Sequence, residues 1–412
     1  MLSPPSKVAV FVSIPFIWRL PNELLKHIST FLFRDSLLVL TQVCKLFREV
    51  AAPEYFALLE FKLPRDTYLP LDNNACEALL VWRRMNAFVD LPYIHLSVSQ
   101  ATTDRHFDAL RIFFESLTEV VPRVHLFLYT GPYKPTIAFL DLLESIRDSG
   151  CKELGCHGMP VLGDAPRTYS IDGTPNCKSN LENLEFASSL FFTRMTIGFT
   201  LATLQNAPLV KLRLTNTGLT GTQWSHFLEN LDLRYLRELE IEALCPPKSL
   251  VQFMSRHKVN ILAIRPVTIT RLRPSTSRYS RSATPLNSLT KLNGSPAYIL
   301  ALLRYAYMPP DTLLHLGVQF QQSDLGISFL SDVLSCTERI PGLDNLFIRI
   351  PAGVDTRVLA LPENDPRTCF VQALSFQIMD DTALVRKLVF LVLSLNRFSV
   401  KLCTLVTGFP ES

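Results

Sequence analysis

Cys151, Cys156 and His157 are the residues whose types and spacing come nearest to a metal site, because thiolates and imidazole are the donors a zinc ion takes. No second pair with ligand spacing accompanies them, so no metal centre is expected there. Nucleophilic chemistry has no better footing: the chain contains no G-x-S-x-G elbow, no H-E-x-x-H helix and no D-x-D-x-D-G loop. Isolated histidines such as His226 and His257 suit structural or solvent-facing roles rather than proton transfer. Glycine is scarce, 15 residues in 412, and neither G-x-G-x-x-G nor G-x-x-x-x-G-K-[ST] occurs, which removes the common phosphate cradles. The sequence offers no catalytic residue and implies no cofactor.

The remaining polar candidates are charged side chains in strand-like segments, and they depend on a repeat. Hexads of the form L-x-x-L-x-L recur as LENLEF at 181, LVKLRL at 209, LRELEI at 236, VNILAI at 259, LLHLGV at 313, LDNLFI at 343 and VQALSF at 371. Weaker copies are YIHLSV at 93, RVHLFL at 123 and LTKLNG at 289. The central leucines are Leu96, Leu126, Leu184, Leu212, Leu239, Leu262, Leu292, Leu316, Leu346 and Leu374, mostly 23 to 30 residues apart, with a degenerate copy expected near Leu154. One strand and one returning helix per unit at that period is the signature of leucine-rich repeats. An alternating βαβ sheet is the rival architecture, but it supplies no reason for a fixed leucine triplet.

In the unit LVKLRLTNTGLTGTQWSHFLENL, Leu212 and Leu214 alternate into the core, Thr220 and Gln223 fit a capping box, and Trp224, Phe227, Leu228 and Leu231 share one helix face. Ile299, Leu302, Leu303 and Ala306 behind Ser295-Pro296, and Leu384, Leu388, Leu391 and Leu395 behind Asp380-Asp381, repeat the plan. Stacking ten or eleven such strands at about 4.8 Å gives a parallel concave surface roughly 50 Å long. The side chains expected on it are His95, His125, Tyr129, Lys211, Arg213, Glu238, Glu240, Glu242, His315, Gln319, Phe320, Phe347 and Arg349. Those charges suit either a protein-recognition patch or cross-strand pairs serving only register and solubility.

Residues 20–56 are organised differently. After Leu20-Pro21, the residues Leu24, Leu25, Ile28 and Leu32 fall on one helical face. Asp35 suits an N-cap for a second helix with Leu37, Leu38 and Leu40. Val43, Cys44 and Phe47 open a third, which Pro53 is expected to end. Fewer than 40 residues bury little by themselves, so part of this apolar surface is expected to meet either the neighbouring domain or a partner. Leu-Pro-x-Glu-Leu-Leu-x-x-Ile at 20–28, Asp35 before Leu37-Leu38, and Val43-Cys44-Lys45-x-Phe47-Arg48 resemble the F-box, with Ser36 where leucine is common and Phe47 where tryptophan is frequent. The resemblance implies docking to the Skp adaptor, and through it to a cullin ubiquitin ligase, by Leu20, Pro21, Leu24, Leu25, Ile28, Leu38, Val43, Cys44 and Phe47.

The expected plan is therefore an α/β chain: an N-terminal extension 1–19, a three-helix F-box 20–56, a connector 57–90, and a leucine-rich-repeat solenoid 91–408 with outer helices and a basic insert 265–294. The order of parts resembles F-box/leucine-rich-repeat proteins, particularly the large fungal families. That implies a non-catalytic receptor that presents a protein substrate for ubiquitin transfer; an adaptor-binding scaffold without ligation is the alternative.

Charge and composition place the chain further. The net +4 is local: no Asp or Glu lies between Ala243 and Pro310, where ten Lys and Arg fall, leaving 31 against 37 elsewhere. The insert's Arg, Ser, Thr and Pro content suits a solvated loop, with Ser282 or Thr284 as candidate phosphorylation sites. Tyr279 is its one aromatic residue, too little interleaving to imply nucleic-acid binding. Nine scattered cysteines fit reduced thiols in cytosol or nucleus. The apolar run Val8 to Trp18 is broken by Pro15 and lacks a small-residue cleavage site, and Leu388 to Leu395 is too short to span a bilayer, so neither secretion nor a membrane partner is expected.

Overall fold

The structure, a computed structural model, describes residues 20–61, 73–85, 91–98, 102–117, 120–128, 135–158, 179–266, 283–320, 329–340, 342–350, 369–378 and 398–407. Three helices come first: α1 (Asn22–Ser29), α2 (Arg34–Val43) and α3 (Lys45–Leu58). Asp35 is not the cap of α2, a place taken by Phe33; it lies in the first turn, where its charge still complements the exposed N–H groups. Pro53 does not end α3, which continues through it to Leu58. Pro53 lies on the solvent side with Glu49, whose carbonyl loses its helical donor, while Ala51, Ala52, Tyr55 and Phe56 are buried on the other side and hold both halves in line.

A fourth helix, α4 (Asn73–Met85), leads into alternating strands and helices. In chain order these are β1 (Tyr93–Val98), α5 (Asp104–Glu115), β2 (Arg123–Leu128), α6 (Ile137–Asp148), β3 (Glu153–Gly158), β4 (Asn183–Ala187), α7 (Ile197–Asn206) and β5 (Lys211–Leu214). There follow α8 (Gly221–Glu229), β6 (Glu238–Glu242), α9 (Pro247–Arg256), β7 (Ile261–Arg265), β8 (Thr284–Pro285), β9 (Lys291–Gly294), α10 (Pro296–Leu302) and β10 (Ala306–Tyr307). The last are β11 (His315–Gln319), α11 (Phe329–Thr337), β12 (Asn345–Ile350), β13 (Cys369–Ile378) and β14 (Phe398–Thr407).

Twelve of these strands form one sheet in chain order, from β1 to β7 and then β9, β11, β12, β13 and β14; β8 and β10 pair separately. Every pairing is parallel, an arrangement that described crossover helices such as α5 between β1 and β2 and α8 between β5 and β6 permit. The register sets two inward rows. Ile94, Val124, Leu154, Leu184, Leu212, Leu239, Leu262, Leu292, Leu316, Leu346 and Leu374 align as one, all buried. Leu96 and Leu126, expected in that row, stand in the second, beside Cys156, Phe186 and Leu214. A shift of two residues leaves the buried face unchanged, because strand side chains alternate with period two.

The helices cover the inward face. In α8, Thr220 Oγ1 accepts the Gln223 N–H while the Gln223 side chain accepts the Thr220 N–H, closing the expected capping box. Trp224, Phe227, Leu228 and Leu231 are buried beneath it, and Ile299, Leu302, Leu303 and Ala306 are buried in and just beyond α10. The basic segment divides: Arg265 ends β7, residues 283–294 include β8 and β9, and residues 267–282 lie outside the described residues, as do the leucines 384–395. One continuous apolar core joins the sheet to the first helices through Leu37, Ala52, Tyr55 and Phe56, which pack with Cys76, Leu79 and Trp82 of α4. Among the described residues no helix is long and apolar enough to cross a membrane.

Candidate functional site

The sequence folds α1 to α3 around a small core of their own. The Pro21 carbonyl accepts the N–H groups of Leu24 and Leu25 at 3.0 and 3.1 Å, which starts α1 one residue after the proline. Leu25, Phe47 and Val50 bury against one another, with Leu20, Leu40, Cys44 and Leu46 around them. Leu25 (4% exposed) and Phe47 (6%) therefore shape the surface from beneath rather than offering their side chains to a partner. Leu20, Leu38 and Cys44 are half-buried, and Pro21 is exposed.

Besides Pro21, three of the expected contact residues stand about half exposed: Leu24 (50% exposed), Ile28 (43%) and Val43 (54%). Val39 on α2 joins them, together with Phe31 and Phe33 in the turn between α1 and α2, all three exposed. Sequence reasoning missed these last three, although F-L-F at 31–33 places two aromatic residues where a short interhelical turn ordinarily carries polar ones. Between α1, α2 and α3 lies a groove of about 530 Å³, floored by Leu25, Phe47 and Val50 and edged by Ile28 and Val39. Asp35 and Ser36 supply its polar rim. An exposed apolar groove beside exposed leucine, isoleucine and valine is chemistry for covering by another protein.

The outward face of the strands is the second candidate surface, and it carries paired charge. Arg213 bridges Glu185 and Glu240, its Nη1 and Nε each 2.8 Å from a carboxylate oxygen, and Glu240 also takes Arg265. Lys211 lies 3.4 Å from Glu238. Toward β1 the face becomes imidazole and aromatic: His95 stacks on Phe127 at 4.0 Å between ring centroids, and Phe127 on His157 at 4.6 Å. His125 Nε2 lies 3.2 Å from Glu153 and leans over Gly155, where a Cβ would stand 2.7 Å from His125 Nδ1. Burial lowers the pKa of His95, reinforced by the other two imidazoles, and burial likewise lowers that of His157. His95 and His157 are therefore held neutral at neutral pH, and the carboxylates of the face are already matched by cations.

Further along the sheet His315 is exposed, while Gln319, Phe347 and Arg349 are half-buried, with Gln319 opposite Arg349 in the register. Glu242 departs from the expected outward row. It is 2% exposed, and its carboxylate accepts from the Thr217 hydroxyl and N–H and from Trp224 Nε1 at 3.1 Å, tying the loop after β5 to α8. It ends β6, where the chain turns into the core instead of continuing the alternation. Phe320, one residue past β11, is buried because it falls in phase with the inward-facing Leu316 and Val318, and Tyr129 lies outside the described residues.

Cys156 and His157, adjacent on β3, point to opposite faces of the sheet. Cys151 is buried, donates to the Glu153 carbonyl at 3.0 Å, and burial pushes its thiol up to about 12. The spacing that suggested a metal site thus brings the three side chains to no common point. Among the described residues no group of three His, Cys, Asp or Glu could hold a metal ion.

No curated protein matches the chain. The family comparison concerns the N-terminal helices alone: residues 17–56 match the F-box-like model, so this chain carries an F-box-like domain, a protein–protein interaction module, ahead of its parallel sheet.

Proposed function

We propose that the chain is the substrate-recognition subunit of a Skp–cullin–F-box ubiquitin ligase. The observation that carries this reading is the F-box-like match at 17–56 together with the exposed apolar side chains around the groove of those same helices. In this reading Leu24, Ile28, Val39 and Val43 meet the Skp adaptor, over a floor set by Leu25 and Phe47. The sheet behind is the inner surface of a leucine-rich-repeat solenoid of the kind found in large fungal families. The inward rows at a near-constant period support that assignment.

A protein substrate lies across the outward strand face, touching Lys211, Arg213, Glu238, Glu240, His315, Gln319, Phe347 and Arg349. Their mutual pairing leaves little net charge to steer a partner, so shape and the imidazole–aromatic tiles contribute more than long-range attraction. The chain supplies no catalytic group. Transfer proceeds by proximity, with the ubiquitin-carrying enzyme brought by the ligase. Work in the cytoplasm or nucleus follows from that partnership.

Affinity purification of the full chain beside an Ile28→Asp/Val39→Asp variant tests the proposal. Recovery of both adaptor and cullin with the native chain, and loss of both with the variant, is the expected result. Recovery of adaptor without cullin would select the scaffold reading instead, and recovery of neither would overturn both.

A further inference from the structure

The connector between the docking helices and the sheet contains a buried carboxylate with three donors. Glu77 on α4 is 8% exposed. Its Oε2 faces Arg34 of α2, at 3.5 Å, and accepts from the Tyr55 hydroxyl of α3, at 3.3 Å. Its Oε1 lies 2.7 Å from Arg105 of α5, the first helix on the sheet side. One carboxylate thus takes two donors from the docking helices and one from the sheet unit. Tyr55 is fully buried, and burial followed by the Glu77 charge raises its pKa to about 12, so its hydroxyl stays a donor at physiological pH.

We propose that Glu77 is a positioning residue that fixes the angle between the docking helices and the sheet. The apolar contact beneath it, Leu37 and Phe56 against Leu79 and Trp82, holds the two parts together. Dispersion and hydrophobic burial have little directionality, and such a contact tolerates sliding and rotation. Hydrogen bonds to one buried carboxylate are directional, and displacing α2 or α5 takes a counter-charge away from it. On the reading of the preceding section, this sets the distance between adaptor and substrate on which transfer by proximity depends. The clamp itself is a property of the fold and stands whether or not the chain serves a ligase.

Spin labels carried by non-natural amino acids at Lys45 and Arg234, both strongly exposed, report that angle in the full chain through pulsed dipolar distances. The native chain should give one narrow distribution. Glu77→Gln removes the negative charge that the Arg34 and Arg105 guanidiniums both meet, so its distribution should broaden and shift. Tyr55→Phe, which keeps both ion pairs, should stay close to native. If Glu77→Gln is too unstable to measure, Arg105→Gln carries the same expectation, since that guanidinium is largely exposed and its loss spares the core. A distribution in the charge-loss variant with native centre and width would overturn the proposal. Adaptor affinity, measured on the same samples, should be unchanged by Glu77→Gln. Absence of adaptor binding by the native chain would instead count against the ligase reading, with the label distances still deciding the clamp.

Discussion

Ile28→Asp is the substitution that most sharply separates an exposed docking face from an ordinary helical cap. Ile28 is 43% exposed at the edge of the apolar groove. Covering a fully exposed isoleucine is worth about 1.5–3 kcal/mol, so the part still open contributes about 1 kcal/mol to a complex. An unpaired carboxylate at the same place adds a desolvation cost of about 2 kcal/mol or more when the groove is covered. The sum, about 3 kcal/mol, is roughly a 100-fold rise in Kd for the Skp adaptor. Titration calorimetry with purified adaptor reads it directly. The control is Leu25→Asp, which drives a charge between Phe47 and Val50 and should unfold the three helices instead of marking the surface. Should Ile28→Asp bind within about 0.5 kcal/mol of the native chain, the scatter of a neutral surface change, the assignment of that face would be refuted.

Three further expectations concern stability. His257 donates from Nδ1 to the Phe253 carbonyl at 2.7 Å and accepts the Leu233 N–H on Nε2 at 3.0 Å, an arrangement open only to the neutral ring. Burial lowers its pKa, so the unfolded chain takes up the proton first; stability should fall as pH drops below about 6.5, and His257→Gln should flatten part of that dependence in denaturation at pH 7.5 and 5.5. Thr220→Ala removes one half of the α8 capping box and should cost about 1 kcal/mol, seen as faster amide exchange in the first turn of that helix. Leu212→Ala leaves a cavity in the first inward row and should cost about 2–5 kcal/mol, measured by chemical denaturation; a loss below 1 kcal/mol would mean that the strand repacks freely.

Legibility in the sequence followed the strength of periodicity. The hexads of β4, β5, β6 and β11 to β13 announced both their strands and their buried sides, since leucines two apart have one way to face a core. Register was less legible. YIHLSV and RVHLFL carry a leucine in the second inward row, and a two-residue slip has no cost that a single strand reveals. β14 was missed because FSVKLCTLVT lacks the triplet. For the docking helices, sequence spacing found the apolar face but not its division into inner and outer halves. Leu24 and Leu25 look alike in the chain, and only the position of α3 buries one of them. Pro53 misled because its local cost was weighed without the buried residues that carry α3 past it. Glu77 gave no signal, being an isolated acid whose three partners are 43, 22 and 28 positions away.

Amide hydrogen exchange of the full chain, alone and saturated with purified Skp adaptor, addresses the division of labour between the two surfaces. Slower exchange confined to α1, α2 and the turn between them, with the sheet strands unchanged, is the predicted outcome. Unaltered exchange in those helices, or protection that falls on the strands instead, would contradict it.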